Sequence, residues 1–163
     1  METIYVMWHK IPDTDCTISS MLYSEYLRYR WRKTEVVKLW ELNNESKYLL
    51  DLVWRNHPRS VKNLPNWTKI ILTDHNDASQ SIDWRDKLEI LEIIDHHNIW
   101  NITTKKPILA RFEPICSTCS IMYKIFVENN YKIDEKTATL LIAWIISDSL
   151  YFRSPTTTKE DID

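Results

Sequence analysis

Short apolar runs rich in β-branched residues alternate with longer helix-like segments, and this alternation restricts the fold more than any other feature of the sequence. Continuous apolar runs of this kind are typical of strands whose two faces are both buried. The predicted strands are residues 4–8, 34–40, 69–73 and 88–94, a further apolar run is 108–113, and the predicted helices are residues 16–32, 44–54, 117–130 and 134–147. We therefore expect an α/β fold in which helices flank both faces of a parallel β-sheet.

The composition is that of one globular domain without a charged or strongly apolar tract. A chain of 163 residues is long enough to bury about two-thirds of the surface that its unfolded form exposes. Its 21 basic and 23 acidic side chains nearly cancel, and no block of Lys or Arg indicates nucleic acid as a partner. No apolar segment approaches the about 18 residues of a membrane span, so we expect a soluble cytoplasmic protein. The three cysteines do not indicate a disulfide framework.

Acidic residues and histidines follow the ends of the predicted strands. In parallel α/β sheets, functional sites form in the crevice beyond the carboxyl ends of the strands. Four of the five histidines and most of the neighbouring aspartates occupy such places: His9, Asp13 and Asp15 after the first strand, Asp74, His75 and Asp77 after the third, Asp95, His96 and His97 after the fourth, and Asp148 at the end of the last helix. We expect these side chains to meet at one edge of the sheet.

A cluster of this kind predicts bound cations. Two carboxylates about 4 Å apart repel each other by about 4 kcal/mol at an effective dielectric constant of about 20. Mixed carboxylate and imidazole ligands suit Mn²⁺, Fe²⁺, Co²⁺ or Zn²⁺, and the excess of acids favours Mn²⁺ or Mg²⁺. Six candidate ligands suffice for two ions, an arrangement common in hydrolases of phosphate esters and anhydrides. Each motif alone is more often a solvated turn or helix cap, so the prediction depends on all four together.

Four segments, HKIPDTD, TDHND, IDHHNI and SDSLYFRSPTTT, resemble in order and spacing the four signature blocks of the DHH phosphoesterase superfamily. Within it, the sequence is similar to the family II, manganese-dependent inorganic pyrophosphatases, also in the connecting segments ELNNESKYLLD and RFEPICSTCSIMYKIFVENN. The resemblance implies the Rossmann-like fold of DHH domains. It also implies hydrolysis of pyrophosphate to two orthophosphates, with a hydroxide bridging two Mn²⁺ ions as nucleophile, Co²⁺ or Mg²⁺ being alternatives.

The resemblance assigns roles to individual side chains. His9 and Asp13 would hold one ion, Asp74 would bridge both and take part in catalysis, and the second ion would be held by the remaining three ligands, Asp15, His96 and Asp148. His97 would lie beside the substrate as a polarising donor or as a proton source to the leaving phosphate. His75 and Asp95 would orient the ligands from behind, and no binding residues for an organic cofactor are implied.

Proteins of this family carry a second, C-terminal domain whose basic residues grip the phosphates. This chain ends at Asp163, so residues 1–163 are expected to be a DHH catalytic domain, truncated at its C-terminus and lacking the substrate-binding domain. Two alternatives stay open: an exopolyphosphatase or nucleotide phosphoesterase of the same superfamily, and a non-catalytic metal-binding fragment. The resemblance also allows a homodimer.

The sequence contains no glycine and eight tryptophans, whereas about 7% glycine is usual. Relatives carry or tolerate glycine at the tryptophan positions, which are Trp8, Trp31, Trp40, Trp54, Trp67, Trp84, Trp100 and Trp144. Glycine permits positive φ and close backbone approach, which an indole does not. We therefore hypothesise that these codons are UGA and that the source organism reads UGA as glycine. The alternative is a natural protein that is rich in tryptophan and free of glycine.

Overall fold

The apolar runs of the sequence form the strands of one sheet in the computed structural model, which describes residues 2–163. The strands are β1 (Ile4–Met7), β2 (Thr34–Lys38), β3 (Arg59–Ser60), β4 (Lys69–Thr73), β5 (Glu89–Asp95) and β6 (Leu109–Phe112). The helices are α1 (Thr14–Tyr29), α2 (Asn44–Leu52), α3 (Thr118–Glu128), α4 (Glu135–Asp148) and α5 (Lys159–Ile162), with a 3₁₀ turn at Arg85–Lys87. The predicted α/β class is confirmed, and β3 and α5 are additions that the sequence did not predict.

The six strands are all parallel and have the order β3-β2-β1-β4-β5-β6. The chain therefore proceeds outward from β1 to β3 on one side, crosses back, and continues from β4 to β6 on the other. The strand order reverses between β1 and β4. In open α/β sheets, the crevice at this switch point, beyond the carboxyl ends of the strands, is the usual binding site.

Side chains of each strand alternate between two apolar clusters, one on each face of the sheet. Val6 and Ile71 point to the helical side, where α1 to α4 contribute their buried residues. Met7 and Leu72 point to the opposite side. There the sheet is covered by loop residues such as Leu64, Ile82 and Leu88 and by the 3₁₀ turn, where the sequence pattern predicts helices. No helix within residues 2–163 combines the length and the apolar character needed to cross a bilayer.

Four helices end in the same motif, with a residue in the left-handed region just beyond the helix; after α4 the left-handed conformation continues over residues 150–152. After α1, Trp31 has φ 62°, its N–H donates to the Arg28 carbonyl (3.0 Å), and the N–H of Arg32 donates to the Leu27 carbonyl (2.9 Å). This is the Schellman arrangement, which favours glycine at the position of Trp31. Trp54 has φ 57° and the equivalent contacts after α2.

Three further tryptophans have unfavourable surroundings. Trp67 also has positive φ, 68°. Trp8 and Trp144 are buried, and the indole N–H of each has no hydrogen-bond partner, which is costly in a protein interior. These observations support the hypothesis that glycine occupies five of the eight tryptophan positions; the hypothesis remains a prediction.

Candidate metal centre

The six predicted metal ligands lie together at the carboxyl edge of the sheet, beside the switch point. His9, Asp74 and His96 follow β1, β4 and β5, whereas three carboxylates come from helix ends, Asp13 and Asp15 from the start of α1 and Asp148 from the end of α4. Together with Cys16 and His97 they form overlapping groups, and within each group the ligand atoms lie within 4.8 Å of one another: His9, Asp13, Cys16 and Asp74; Asp74, His96 and His97; and Asp15, His96 and Asp148.

Asp74 is common to two of these groups and is buried. Its φ of 61° places a non-glycine residue in the left-handed region, a strained conformation that is concentrated at functional sites. Its backbone N–H donates to the Ile94 carbonyl of β5 (2.9 Å), so the turn is fixed to the sheet. The carboxylate then lies between two imidazoles, with Oδ2 3.5 Å from His9 Nε2 and Oδ1 3.4 Å from His96 Nε2.

His9 and Asp13 form the first half of the centre. Asp13 caps α1, because its Oδ1 accepts the N–H of Cys16 (2.9 Å). Its Oδ2 remains free and lies 3.4 Å from His9 Nε2. The Cys16 thiol donates to the Asp13 carbonyl (3.3 Å), and burial raises its pKa well above the usual value. A thiol held protonated in this way is a poor ligand, so the donors of this half are oxygen and nitrogen.

Asp15, His96 and Asp148 form the second half. His96 Nδ1 donates to the Ile115 carbonyl (3.0 Å), which leaves Nε2 without a proton when the ring is neutral. A backbone partner of this kind commonly fixes the orientation of a metal-binding imidazole. His96 Nε2 lies 3.9 Å from Asp15 Oδ2. Asp148 ends α4 and is partly buried beside them.

His97 is half-exposed, and its Nδ1 lies 3.9 Å from Asp74 Oδ1. Its Nδ1 donates to Asp95 Oδ1 (2.8 Å), and its backbone N–H donates to the same oxygen (3.1 Å). Asp95 thus orients His97. His75 is buried, donates from Nδ1 to the Thr73 carbonyl (3.0 Å), and packs edge-on against the ring of His9 with 6.1 Å between ring centroids.

Sequence reasoning missed two polar residues that hold this arrangement. Asn76 connects the second and third motifs, because its amide donates to Asp95 Oδ2 (2.6 Å) and to the Asn98 carbonyl (2.9 Å). Its place within TDHND was an available signal. The Thr118 hydroxyl donates to Asp74 Oδ1 (2.8 Å). No motif distinguishes Thr118 from an ordinary residue in the first turn of a helix.

The domain model described as the DHH family, N-terminal domain, matches residues 3–145. The chain belongs to the DHH family. It is 40% identical over 163 residues to the manganese-dependent inorganic pyrophosphatase of Bacillus subtilis. The matched region covers 99% of this chain and 53% of that protein. A Bacillus pumilus protein named "Probable manganese-dependent inorganic pyrophosphatase" is 42% identical over 159 residues, and the match covers 97% of this chain and 52% of that protein.

The solved structures agree with this assignment. A Methanococcus jannaschii protein assigned to the family II inorganic pyrophosphatases has a TM-score of 0.88 at 30% identity, covering 98% of this chain and 53% of that chain. An exopolyphosphatase-related protein of Bacteroides fragilis has a TM-score of 0.67 at 16% identity and supports the fold alone. The DHH chain spans about half the length of the curated relatives that it matches.

The electrostatics of the DHH site are those of crowded acids separated by two imidazolium groups. Burial raises the pKa of Asp15 well above its usual value, and the nearby Asp74 charge adds to the effect. The same two causes raise the pKa of Asp148 to about 6. Burial alone would lower the pKa of His9 and His96, but the carboxylates beside them raise both to about 10. Burial likewise opposes ionisation of Asp74, yet His9 and His96 hold its pKa below the usual range.

The geometry fits a pair of divalent cations in place of the protons that raised pKa values keep on the imidazoles and carboxyl groups of the site. Asp74 Oδ2 is buried without a hydrogen-bond partner. The 3.4–3.9 Å separations between imidazole nitrogens and carboxylate oxygens are long for hydrogen bonds. Two ligand atoms about 2.1 Å from one ion and at right angles to each other lie about 3 Å apart, so small movements would close these gaps around an ion.

A cavity of about 470 Å³ opens beside His96 and His97. Its other walls come from Pro114 and Ile115 before α3 and from the turn at residues 155–158. Within the described part of the chain, no Lys or Arg lines it. An anionic ligand in this cavity would therefore depend on the cations of the centre, or on groups outside these walls, for neutralisation.

Proposed function

We propose that this chain is the DHH domain of a manganese-dependent inorganic pyrophosphatase and that its metal centre hydrolyses pyrophosphate to two orthophosphates. One observation carries the proposal: six ligand-type side chains from four separated segments, Asp74 among them, lie in overlapping groups at the switch point of the sheet. The similarity to proteins named manganese-dependent inorganic pyrophosphatase, along nearly the whole chain, supports the choice of reaction.

The donor set supports two hard divalent ions that share one carboxylate. His9 and Asp13 would bind one ion, Asp15, His96 and Asp148 the other, and Asp74 both. Four carboxylates against two imidazoles favour Mn²⁺, with Mg²⁺ or Co²⁺ as substitutes. When bound, such a pair of ions neutralises phosphate charge and activates water at neutral pH. The protein would contribute the rigid spacing of its carboxylates, which is set by strand and helix ends.

The surroundings of His97 support a role for this side chain in acting on the substrate. Asp95 accepts the proton of Nδ1, so Nε2 is the ring atom left for an exchangeable proton at the cavity. The hydrogen bond to Asp95 is the main cause that raises the pKa of His97, with the Asp74 charge acting in the same direction. A protonated imidazole at this place can donate to the oxygen that leaves with the departing phosphate.

The test is orthophosphate release by the whole chain with Mn²⁺, compared for pyrophosphate, tripolyphosphate and a nucleotide. We expect pyrophosphate to be the fastest substrate and Asp74→Asn to abolish the release. Faster hydrolysis of tripolyphosphate or of the nucleotide would reject the pyrophosphatase assignment in favour of the other phosphoesterases of the family. Mn²⁺ binding without turnover of any of the three would instead identify a metal-binding domain that is not catalytic by itself.

A further inference from the structure

The first turn of α3 contacts carboxylates that come from two other parts of the fold. The first backbone N–H groups of a helix have no partner within the helix. Here the N–H of Thr118 donates to Asp15 Oδ2 (2.6 Å) and the N–H of Cys119 donates to Asp15 Oδ1 (3.0 Å). Both oxygens of Asp15 are therefore held, and the positive end of the helix dipole faces the charge.

Thr118 also holds the carboxylate that the two halves of the centre share. Its hydroxyl, which is buried, donates to Asp74 Oδ1 at 2.8 Å. Among residues 2–163 this is the one direct hydrogen bond that the Asp74 side chain accepts at less than 3 Å. Thr118 thus contacts Asp15 through its amide and Asp74 through its side chain, and the positions of these two mutually repelling acids depend on it.

The turn that carries Thr118 is itself held by hydrogen bonds from α5. Asp161 of α5 accepts the N–H of Cys116 (3.2 Å) and the hydroxyl of Ser120 (2.7 Å). It also accepts the N–H of Thr158 (2.7 Å), at the end of the SPTTT segment. These bonds connect α5 to the residues on either side of Thr118, so we expect the Thr118 hydroxyl to keep its position if the Asp74 side chain rotates.

We propose that Thr118 is a positioning residue of the metal centre, a role that rests on the metal centre of the proposed function. Its hydroxyl fixes the rotation of the Asp74 carboxylate so that Oδ2 faces the His9 half and Oδ1 faces the His96 half. Without it, the carboxylate rotates toward one imidazole, and one of the two halves loses its shared oxygen. Partners that orient metal ligands typically account for about 10- to 100-fold in metal affinity.

The experiment compares Thr118→Val, which removes the hydroxyl and keeps the backbone amide, with Thr118→Ser, which keeps both. Mn²⁺ affinity is measured by calorimetry on chelator-treated whole chain, and thermal unfolding is followed in the presence of chelator. Thr34→Val is the matched control, because the Thr34 hydroxyl is also buried and donates to the Ser24 carbonyl (2.9 Å), at the opposite end of the sheet. If Thr118→Val does not fold, Thr118→Ala takes its place.

We expect Thr118→Val to lower Mn²⁺ affinity by about 10- to 100-fold and Thr118→Ser to restore it. Thr34→Val should lower the unfolding temperature and leave Mn²⁺ affinity unchanged. Parental affinity in Thr118→Val, or an equal loss in Thr34→Val, would overturn the role of Thr118. Failure of the parent chain to hydrolyse pyrophosphate while it binds Mn²⁺ would reject only the proposed reaction, whereas a parent that binds no Mn²⁺ would overturn both.

Discussion

Replacing the tryptophans at the ends of α1 and α2 by glycine should stabilise the protein. Trp31 and Trp54 have φ 62° and 57°. A residue with a β-carbon in this region carries a penalty of about 1–2 kcal/mol, which glycine avoids, although glycine loses about 0.5–1 kcal/mol through the greater freedom of the unfolded chain. Both indoles are 87% exposed, so little packing is lost. The net gain is about 0.5–1 kcal/mol for each replacement.

The double variant Trp31→Gly/Trp54→Gly should therefore gain about 1–2 kcal/mol, since the two sites end different helices and should act independently. For a chain of this length, this corresponds to a rise in Tm of about 2–8 °C. Trp67→Gly relieves a φ of 68° but removes a contact with the Lys105 ammonium, 4.3 Å from the ring centre. That cation–π contact is worth about 0.5–1 kcal/mol, so the change should be close to neutral.

Thermal and urea unfolding followed by circular dichroism measure these differences. Trp84→Gly is the control, because Trp84 has φ −108° and packs partly buried against the apolar cluster on the loop-covered face. It gains no conformational relief and should unfold at lower temperature. If Trp31→Gly and Trp54→Gly destabilise the chain as Trp84→Gly does, the argument from backbone strain is wrong.

Three further predictions concern the site and the gene. His97→Asn should slow orthophosphate release by about 10²-fold or more, with Mn²⁺ affinity near the parental value. The control His57→Asn changes an exposed loop histidine and should leave both the release rate and the Mn²⁺ affinity at the parental values. Equal rates in both variants would exclude His97 as the proton donor. Without metal, the free energy of unfolding should fall as pH rises from about 6.5 toward about 10. His9 and His96 have pKa values of about 10 in the folded chain against 6.5 when unfolded, so the folded state holds more protons in this window. Urea unfolding in chelator at several pH values checks this, and a flat profile would contradict it. The codons of the eight tryptophans should be UGA, and sequencing that finds UGG would refute their reading as glycine.

The sheet and the meeting of the motifs could be predicted because each depends on a local signal. A continuous apolar run identifies a buried strand, and a ligand-type residue directly after it must lie at the carboxyl edge. β3 gave no such signal, since Arg59 and Ser60 are polar and exposed. The sequence also contained no sign that loops cover the second face of the sheet. The residues that do so, such as Leu64 and Ile82, are single apolar residues in segments without helical or strand periodicity.

The polar contacts behind the ligands could not be predicted. The bond from the Thr118 amide to Asp15 joins residues 103 positions apart, and its existence depends on how α3 packs against α1. The left-handed backbone of Asp74 was also hidden, because aspartate is enriched at positive φ but only a few per cent of non-glycine residues adopt it. Motifs therefore identify which residues converge, whereas packing determines how they are held.

The most direct test of the central claim is the number of Mn²⁺ ions that the chelator-treated chain binds, measured by calorimetry together with Tm. We predict two ions per chain and a rise in Tm on binding, since a ligand at about 100 times its Kd stabilises the folded state by about 2.7 kcal/mol. Asp74→Asn should bind Mn²⁺ more weakly at both places, because both ions share this carboxylate. A chain that takes up no Mn²⁺ and melts at the same temperature with metal or with chelator would contradict a paired-metal centre.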